Sequence, residues 1–280
     1  MPPRPEWFVL YGAVAVLYMF VAWREWLALE SESAKSPLWH GPVLALAIGL
    51  HGALLVHGVY VEGQLRFGFA HALSATLWIT ALIVWLETFF SPSRGLFLLV
   101  LPLAALTALL PLAFPGVILG QATDAPMFRV HLLLAILAYS LLTIAAMQAL
   151  LMASMDRRLH GETSSSAQGR LAHFLDRLPP LLAMETVLFR LIGAGFLLLT
   201  ATLVSGIFFS EEVFGRALRF DHKTVFTFAA WFVFGALLVG RVVFGWRGRT
   251  ALRWTITGFA MLMLAYVGSR FVIEVLLHRA

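Results

Sequence analysis

Nine histidines stand in a chain of which only 12% of residues are charged. Imidazole titrates near neutral pH and offers a neutral nitrogen lone pair to a metal, so these side chains are the first place to look for chemistry. His57, His71, His131 and His222 fall at the ends of four different apolar stretches which, read in alternation, reach the same membrane face. His40 falls at the other end of the second stretch and His51 near its middle, while His160, His173 and His278 lie in loops or at a terminus. Imidazoles at one depth on separate helices suit three kinds of site. Two of them can occupy the axial positions of a haem iron, and Arg129, Lys223 and Arg270 lie at the right depth to meet the anionic propionates. Imidazole also suits zinc, copper or nickel. The third use is a proton relay. A histidine at a helix end among lipid headgroups is also readily solvated and needs none of these roles. His51 and His57 lie ~240° apart on a helical wheel, so they do not share one narrow face.

Other polar groups within apolar stretches have structural readings. Arg270 and Glu274, four residues apart, can pair on one helix face. Gln148 suits a hydrogen bond between helices, and Glu87, Arg190 and Arg241 lie near span ends from which they can reach the surface. The motifs of soluble enzymes are missing: there is no HExxH, no GxSxG, no GKS or GKT and no glycine-rich dinucleotide fingerprint. The GAGF run at 193–196 sits inside an apolar stretch, where it reads as a helix-packing site. With no cysteine in the chain, disulfides, thiolate metal sites and thiol redox chemistry are excluded.

The elements that must position these groups are set by composition. Apolar residues make up 60% of the 280, and the charged fraction is half of the roughly 25% usual in soluble domains. A soluble fold of this size cannot hide so much apolar surface, whereas a bilayer can. Eight stretches are long enough to cross ~30 Å of hydrocarbon at ~1.5 Å per residue: 6–23, 38–61, 67–90, 95–114, 127–153, 184–209, 222–245 and 252–276. Pro102, Pro111 and Pro115 should kink or shorten the fourth. The first lacks a small-residue cleavage site and reads as an uncleaved span. The expected fold is therefore all-α, a single polytopic membrane domain over 1–280 with about eight transmembrane helices. The sequence pI near 10.1 does not indicate nucleic acid, because the arginines are scattered between apolar runs and act as topology signals. One set of alternate loops holds eleven Lys and Arg and the other eight, with Arg190 left out as lying inside a span. The two richest clusters, 154–183 and GWRGR at 245–249, agree. Both termini are thus expected outside and those two loops in the cytoplasm. Within 154–183, Leu171, Phe174, Leu175 and Leu178 keep helical spacing and predict a short amphipathic helix on the inner surface.

The last spans, read as DHKTVFTFAAWFVFGALLVGR, GWRGR and LAYVGSRFVIE, resemble the cytochrome c assembly protein family. The likeness is to its HemX-like and YpjD-like branch, relatives of the haem-handling CcsA and CcmC proteins. FRVHLLLAILAYSLLTIAAMQALLM of the fifth span and LLVHG of the second fit the same branch. The resemblance implies a haem-handling protein of the bacterial inner (plasma) membrane. In the CcsA and CcmC relatives, outer-face histidines flank a tryptophan-rich loop that presents haem to apocytochrome c. The histidine opening the fifth span corresponds to His131, and the segment before the seventh to Asp221, His222 and Lys223; His57 sits in LLVHG. The tryptophan-rich motif itself is absent, since no Trp occurs between Trp85 and Trp231, and the end of the seventh span, LLVGR, lacks the buried histidine of CcsA-type proteins. The resemblance with these departures implies an assembly or accessory factor rather than a haem lyase. His131 and His222 are the expected axial ligands of haem iron and His57 a third candidate. Arg129, Lys223 and Arg270 would sit at the propionates. The expected partners are the lipid bilayer and cytochrome c assembly proteins. The alternative is an interaction protein without haem, regulating tetrapyrrole biosynthesis or another membrane protein through its cytoplasmic loops. A secondary transporter is disfavoured because no internal repeat is visible.

Overall fold

The computed structural model describes residues 5–28, 40–61, 64–89, 95–119, 126–159, 174–175, 178–214 and 222–272. Eight long helices account for most of them: α1 (Pro5–Ala28), α2 (His40–Val59), α3 (Phe69–Glu87), α4 (Phe97–Ala113), α5 (Pro126–Leu159), α6 (Leu181–Phe214), α7 (His222–Val243) and α8 (Gly248–Met263). The last continues through a π-helical segment, Leu264–Gly268, into a final turn at Ser269–Phe271. Seven are long and apolar enough to cross a membrane; α4, of 17 residues, is the shorter one. The protein is an all-α polytopic membrane protein. At ~1.5 Å per residue α4 reaches ~25 Å, short of the ~30 Å hydrocarbon core. Pro102 and Pro111 are both accommodated within it.

Paired residues show how the helices pack, with α1 and α2 antiparallel. Trp7 of α1 meets His57 of α2 while Glu25 meets His40. Gly195 of α6 meets Leu142 of α5, Trp231 of α7 reaches Thr200 of α6, and Tyr139 of α5 reaches Leu262 of α8. Lipid provides no hydrophobic drive between helices, so close approach at small residues must supply the contact. The structure uses glycine for this: a β-carbon at Gly52 would stand 2.7 Å from Trp78, one at Gly195 2.7 Å from Leu142, and one at Gly258 3.0 Å from Phe234. The GAGF run is thus a packing site. Trp78 crosses Gly52 to donate its indole N–H to the Ile48 carbonyl at 2.8 Å. Leu142, Leu188, Ile192, Leu199, Phe234, Leu237 and Leu262 are fully buried along the α5–α8 half.

One end of the bundle carries a small sheet that hydropathy does not reveal. β1 (Tyr60–Val61) and β2 (Gln64–Phe67) follow α2, and β3 (Val117–Leu119) follows α4. β1 pairs antiparallel with β2 through Tyr60↔Leu65, and β2 with β3 through Leu65↔Leu119, Arg66↔Ile118 and Phe67↔Val117. Gly116 enters β3 with φ +72°, and a β-carbon there would lie 2.9 Å from the Gly68 nitrogen, so only glycine fits. Leu65, Phe67 and Ala72 form a second apolar cluster under the sheet with Val59, Leu119, Phe128, Leu132, Ile136 and Tyr266.

The opposite end is tied by ion pairs. Glu185 of α6 accepts from Arg241 at 2.7 Å and lies 3.5 Å from Arg247; Arg249 pairs with Asp156 at 2.6 Å, and Glu25 with His40 at 2.7 Å. Arg241 therefore does more than reach for the surface, since its guanidinium also lies 4.6 Å from the Phe189 ring centre. Glu185→Gln should cost about 1–3 kcal/mol, because the buried acceptor loses its charge beside two guanidiniums. A lower melting temperature in detergent micelles that Arg241→Gln does not further depress would show the coupling. Of the amphipathic segment expected at 171–178, Phe174 and Leu175 are helical and buried, and Leu178 packs over Gly95; residues 171–173 and 176–177 lie outside the described residues.

Candidate functional site

His57, His71, His131 and His222 stand on four different helices, each against different partners. His57 stands in the last turn of α2, exposed, with its ring edge-on to Trp7 of α1 at 4.2 Å between centres. His71 lies in the first turn of α3 and is only 2% exposed. Its ring lies 6.1 Å from Phe67 of β2, inclined by 30°. Its Nε2 is 3.5 Å from where a β-carbon on Gly58 would stand, with the Tyr11 hydroxyl 3.2 Å from the same point. Histidine and tyrosine thus converge over a glycine, which leaves them the room. His71 Nδ1 is buried with no hydrogen-bond partner.

His131 opens the hydrocarbon part of α5 and packs on α6. Its Nδ1 lies 3.1 Å from the Thr202 carbonyl oxygen and 3.1 Å from Ser205 Oγ. Ser205 donates its own proton to the Thr202 carbonyl at 3.0 Å. The ring rests on Gly206, where a β-carbon would meet Cε1 at 3.1 Å. A carbonyl oxygen can only accept, so the Thr202 contact favours the tautomer with the ring proton on Nδ1, whereas Ser205 Oγ could either accept or donate there.

His222 is the first residue of α7 and is exposed. Next to it, the Lys223 ammonium lies 5.6 Å from the centre of the Tyr266 ring, in the π-helical segment. Tyr266 in turn lies 6.4 Å from Phe67, the neighbour of His71. A run of ring contacts therefore links Lys223 to His71 across four elements. Arg129 is exposed on the first turn of α5. The side chain of Arg270, with residues 273–280, falls outside the described set, so the expected Arg270–Glu274 pair and the propionate role of Arg270 are not described. His160, His173 and His278 lie outside it too. Among the described residues no three His, Asp or Glu side chains gather into a metal-holding group.

His51, deeper in the bundle, belongs to another constellation. It is wholly buried, with Nδ1 3.2 Å from the Tyr18 hydroxyl and Nε2 2.9 Å from Ser74 Oγ. The residues that sequence reasoning passed over are the tyrosines: Tyr18 contacts His51, Tyr266 lies under Lys223, and Tyr11 stands over Gly58 near His71 while donating to the Leu54 carbonyl. Their only advance signal is the placement of a phenol inside an otherwise apolar stretch.

The family model for the cytochrome c assembly protein matches residues 40–277. The chain belongs to the cytochrome c assembly protein family. It is similar to inner membrane protein YpjD of Escherichia coli (strain K12), 35% identical over 184 residues that cover 64% of this chain and 66% of YpjD. It is also similar to an uncharacterized 28.8 kDa protein in the nifR3-like 5' region of Azospirillum brasilense, 31% identical over 271 residues, 90% of each chain. Cytochrome c biogenesis protein CcsA of Gloeobacter violaceus is 31% identical over 91 residues, 32% of this chain and 27% of CcsA. No solved structure matches the chain. All four sheet-end histidines lie within the span matched by the cytochrome c assembly family, and α1 lies outside it. Yet α1 supplies Trp7, Tyr18 and Glu25 as partners to the three histidines of α2.

Proposed function

We propose that this member of the cytochrome c assembly family handles haem in a bacterial inner membrane, in or beside cytochrome c biogenesis, as an assembly or accessory factor. Family membership and the relatives named for cytochrome c biogenesis and for the inner membrane support the process and the place.

The observation that carries the haem reading is the Thr202 carbonyl 3.1 Å from His131 Nδ1. A ligating histidine donates one ring N–H to a carbonyl and gives the other nitrogen to the metal, and this contact favours that state of His131. His222 and His57, exposed at the same end, are the proposed second ligands. Lys223 and Arg129, with Arg270, are the proposed holders of the propionates on the outer face. Bound haem would supply an iron open to imidazole ligation and one-electron redox chemistry. The protein's own part is to fix His131 and to set cations beside the anionic edge. The orphaned Nδ1 of buried His71 fits the same reading, because a buried polar nitrogen without a partner calls for a ligand to satisfy it. Of the two segments that the interaction reading would use, Arg247 and Arg249 of the 245–249 corner pair with Glu185 and Asp156, and most of the 154–183 loop lies outside the described residues.

Protein purified from haem-replete cells is expected to show a Soret band. His131→Ala with His222→Ala should abolish it while leaving the melting temperature within a few degrees. A band that survives unchanged would remove those ligands from the proposal, and wild-type protein without a band would remove haem.

A further inference from the structure

At the end away from the sheet, α1, α4 and α5 leave a side-opening groove of about 450 Å³. That falls in the ~300–1,000 Å³ range of small-ligand pockets. Trp23 and Trp26 of α1, Leu98, Leu99 and Pro102 of α4, and Leu150 and Ser154 of α5 are among its lining, and Phe174 and Leu175 close one side. Those two belong to the segment held over the start of α4, where Leu178 and Phe174 pack on Gly95. The groove is therefore walled by three helices and a further segment rather than being a crevice between two helices.

A convex apolar helix face in a bilayer needs no explanation, because lipid tails cover it. A concave one differs, because a single chain seated in it keeps contacts on several sides that a tail lying on a flat face does not. The mouth says what kind of chain. Ser154 is the one hydroxyl-bearing side chain of the lining. Arg157 and Arg158 come three and four residues after it on α5 and so stand over the same helix face, about one turn further on. Arg157 is exposed, and among the described residues none pairs with it. Trp23, 55% exposed, places an indole at the same level, as interfacial tryptophans do. An apolar slot rimmed by indoles with arginines above it matches an acyl chain whose headgroup carries a phosphate.

We infer that the groove between α1, α4 and α5 is a binding site for one anionic glycerophospholipid, its acyl chain along Trp23, Leu99 and Leu150 and its phosphate at Arg157. The site is independent of the haem reading, being at the other end of the bundle from His131 and His222.

The test uses full-length protein in a mild detergent and reads the shift in melting temperature on adding phosphatidylglycerol, phosphatidylcholine of the same acyl chains, or inorganic phosphate. Phosphatidylglycerol should raise the midpoint by several degrees more than phosphatidylcholine, and phosphate alone should not raise it. Arg157→Gln should erase the difference between the two lipids. Ser154→Trp, which fills the mouth from an exposed position, should erase stabilisation by both. Equal stabilisation by both lipids in the wild type would overturn the inference in favour of an uncharged occupant such as an isoprenoid or a second copy of this chain. Selectivity that survives either substitution would place the lipid elsewhere, and a shift from phosphate alone would make the site a free-anion site.

Discussion

Alanine in place of His51 is expected to lower the stability of the fold by about 3–5 kcal/mol, seen as a fall in melting temperature on the order of 10 °C in detergent micelles. Two losses contribute, and their sizes decide which dominates. Hydrogen bonds between membrane helices average only ~0.6 kcal/mol and reach ~1.7 kcal/mol, so the bonds to Tyr18 and Ser74 give the smaller share. Emptying a wholly buried ring leaves a cavity, and large-to-alanine changes in packed cores cost ~2–5 kcal/mol. The ring also stands edge-on to Tyr18 at 5.7 Å, so its loss uncovers a second aromatic. His51→Leu restores most of the volume and should recover more than half of the loss. What remains belongs to the stranded hydroxyls. Ser74 can turn back to its own helix, as serines in spans do, but the Tyr18 hydroxyl cannot, so adding Tyr18→Phe to His51→Leu should recover more. Unchanged stability in His51→Ala would mean that the three side chains do not meet.

Gly240→Ala is expected to cost about 2–4 kcal/mol, a large effect for one methyl group. A β-carbon at position 240 would stand 2.5 Å from Trp246 Cδ2 and 2.8 Å from Cζ3. The indole cannot withdraw without giving up its ring neighbours, being 5.1 Å from Trp254 and 6.2 Å from Phe244 between ring centres. The backbone holds it as well: Gly245, with φ +66°, turns the chain so that the Trp246 N–H returns to the Gly240 carbonyl at 3.1 Å. The methyl group must therefore expel the ring or part α7 from α8. The decisive measurement is the cycle with Trp246→Ala. Once the ring is gone, alanine at 240 should be neutral or stabilising, because glycine inside a helix costs roughly 1 kcal/mol relative to alanine. A penalty that persists in the Trp246→Ala background would refute the packing explanation.

The eight apolar stretches read from composition fall within a few residues of the helices, α2 at 40–59 against 38–61 and α7 at 222–243 against 222–245. The long α5 and α6 run beyond their apolar parts, because a helix leaving the bilayer continues in water while its own hydrogen bonds last. The sheet was hidden for a different reason. Strands of two to four residues are too short for an alternating pattern to register, and β3 forms only because Gly116 lets its chain pass Gly68. In the candidate site, that His57, His131 and His222 stand at or near the ends of their helices was readable from their places along the apolar stretches. The partner of the His131 ring was not, since it is a carbonyl 71 residues away.

Sequence alone determined where the apolar helices run and at which end of each the polar groups stand, because lipid selects spans by length and apolar content. Only the tertiary structure decided which way each group faces. A span apolar all round has no preferred side in lipid, so its rotation is set by distant contacts such as Trp78 on Gly52 and Leu142 on Gly195. Those contacts turn His51 toward Tyr18, bury His71 beside Phe67, and leave open the groove that Trp23 and Ser154 line.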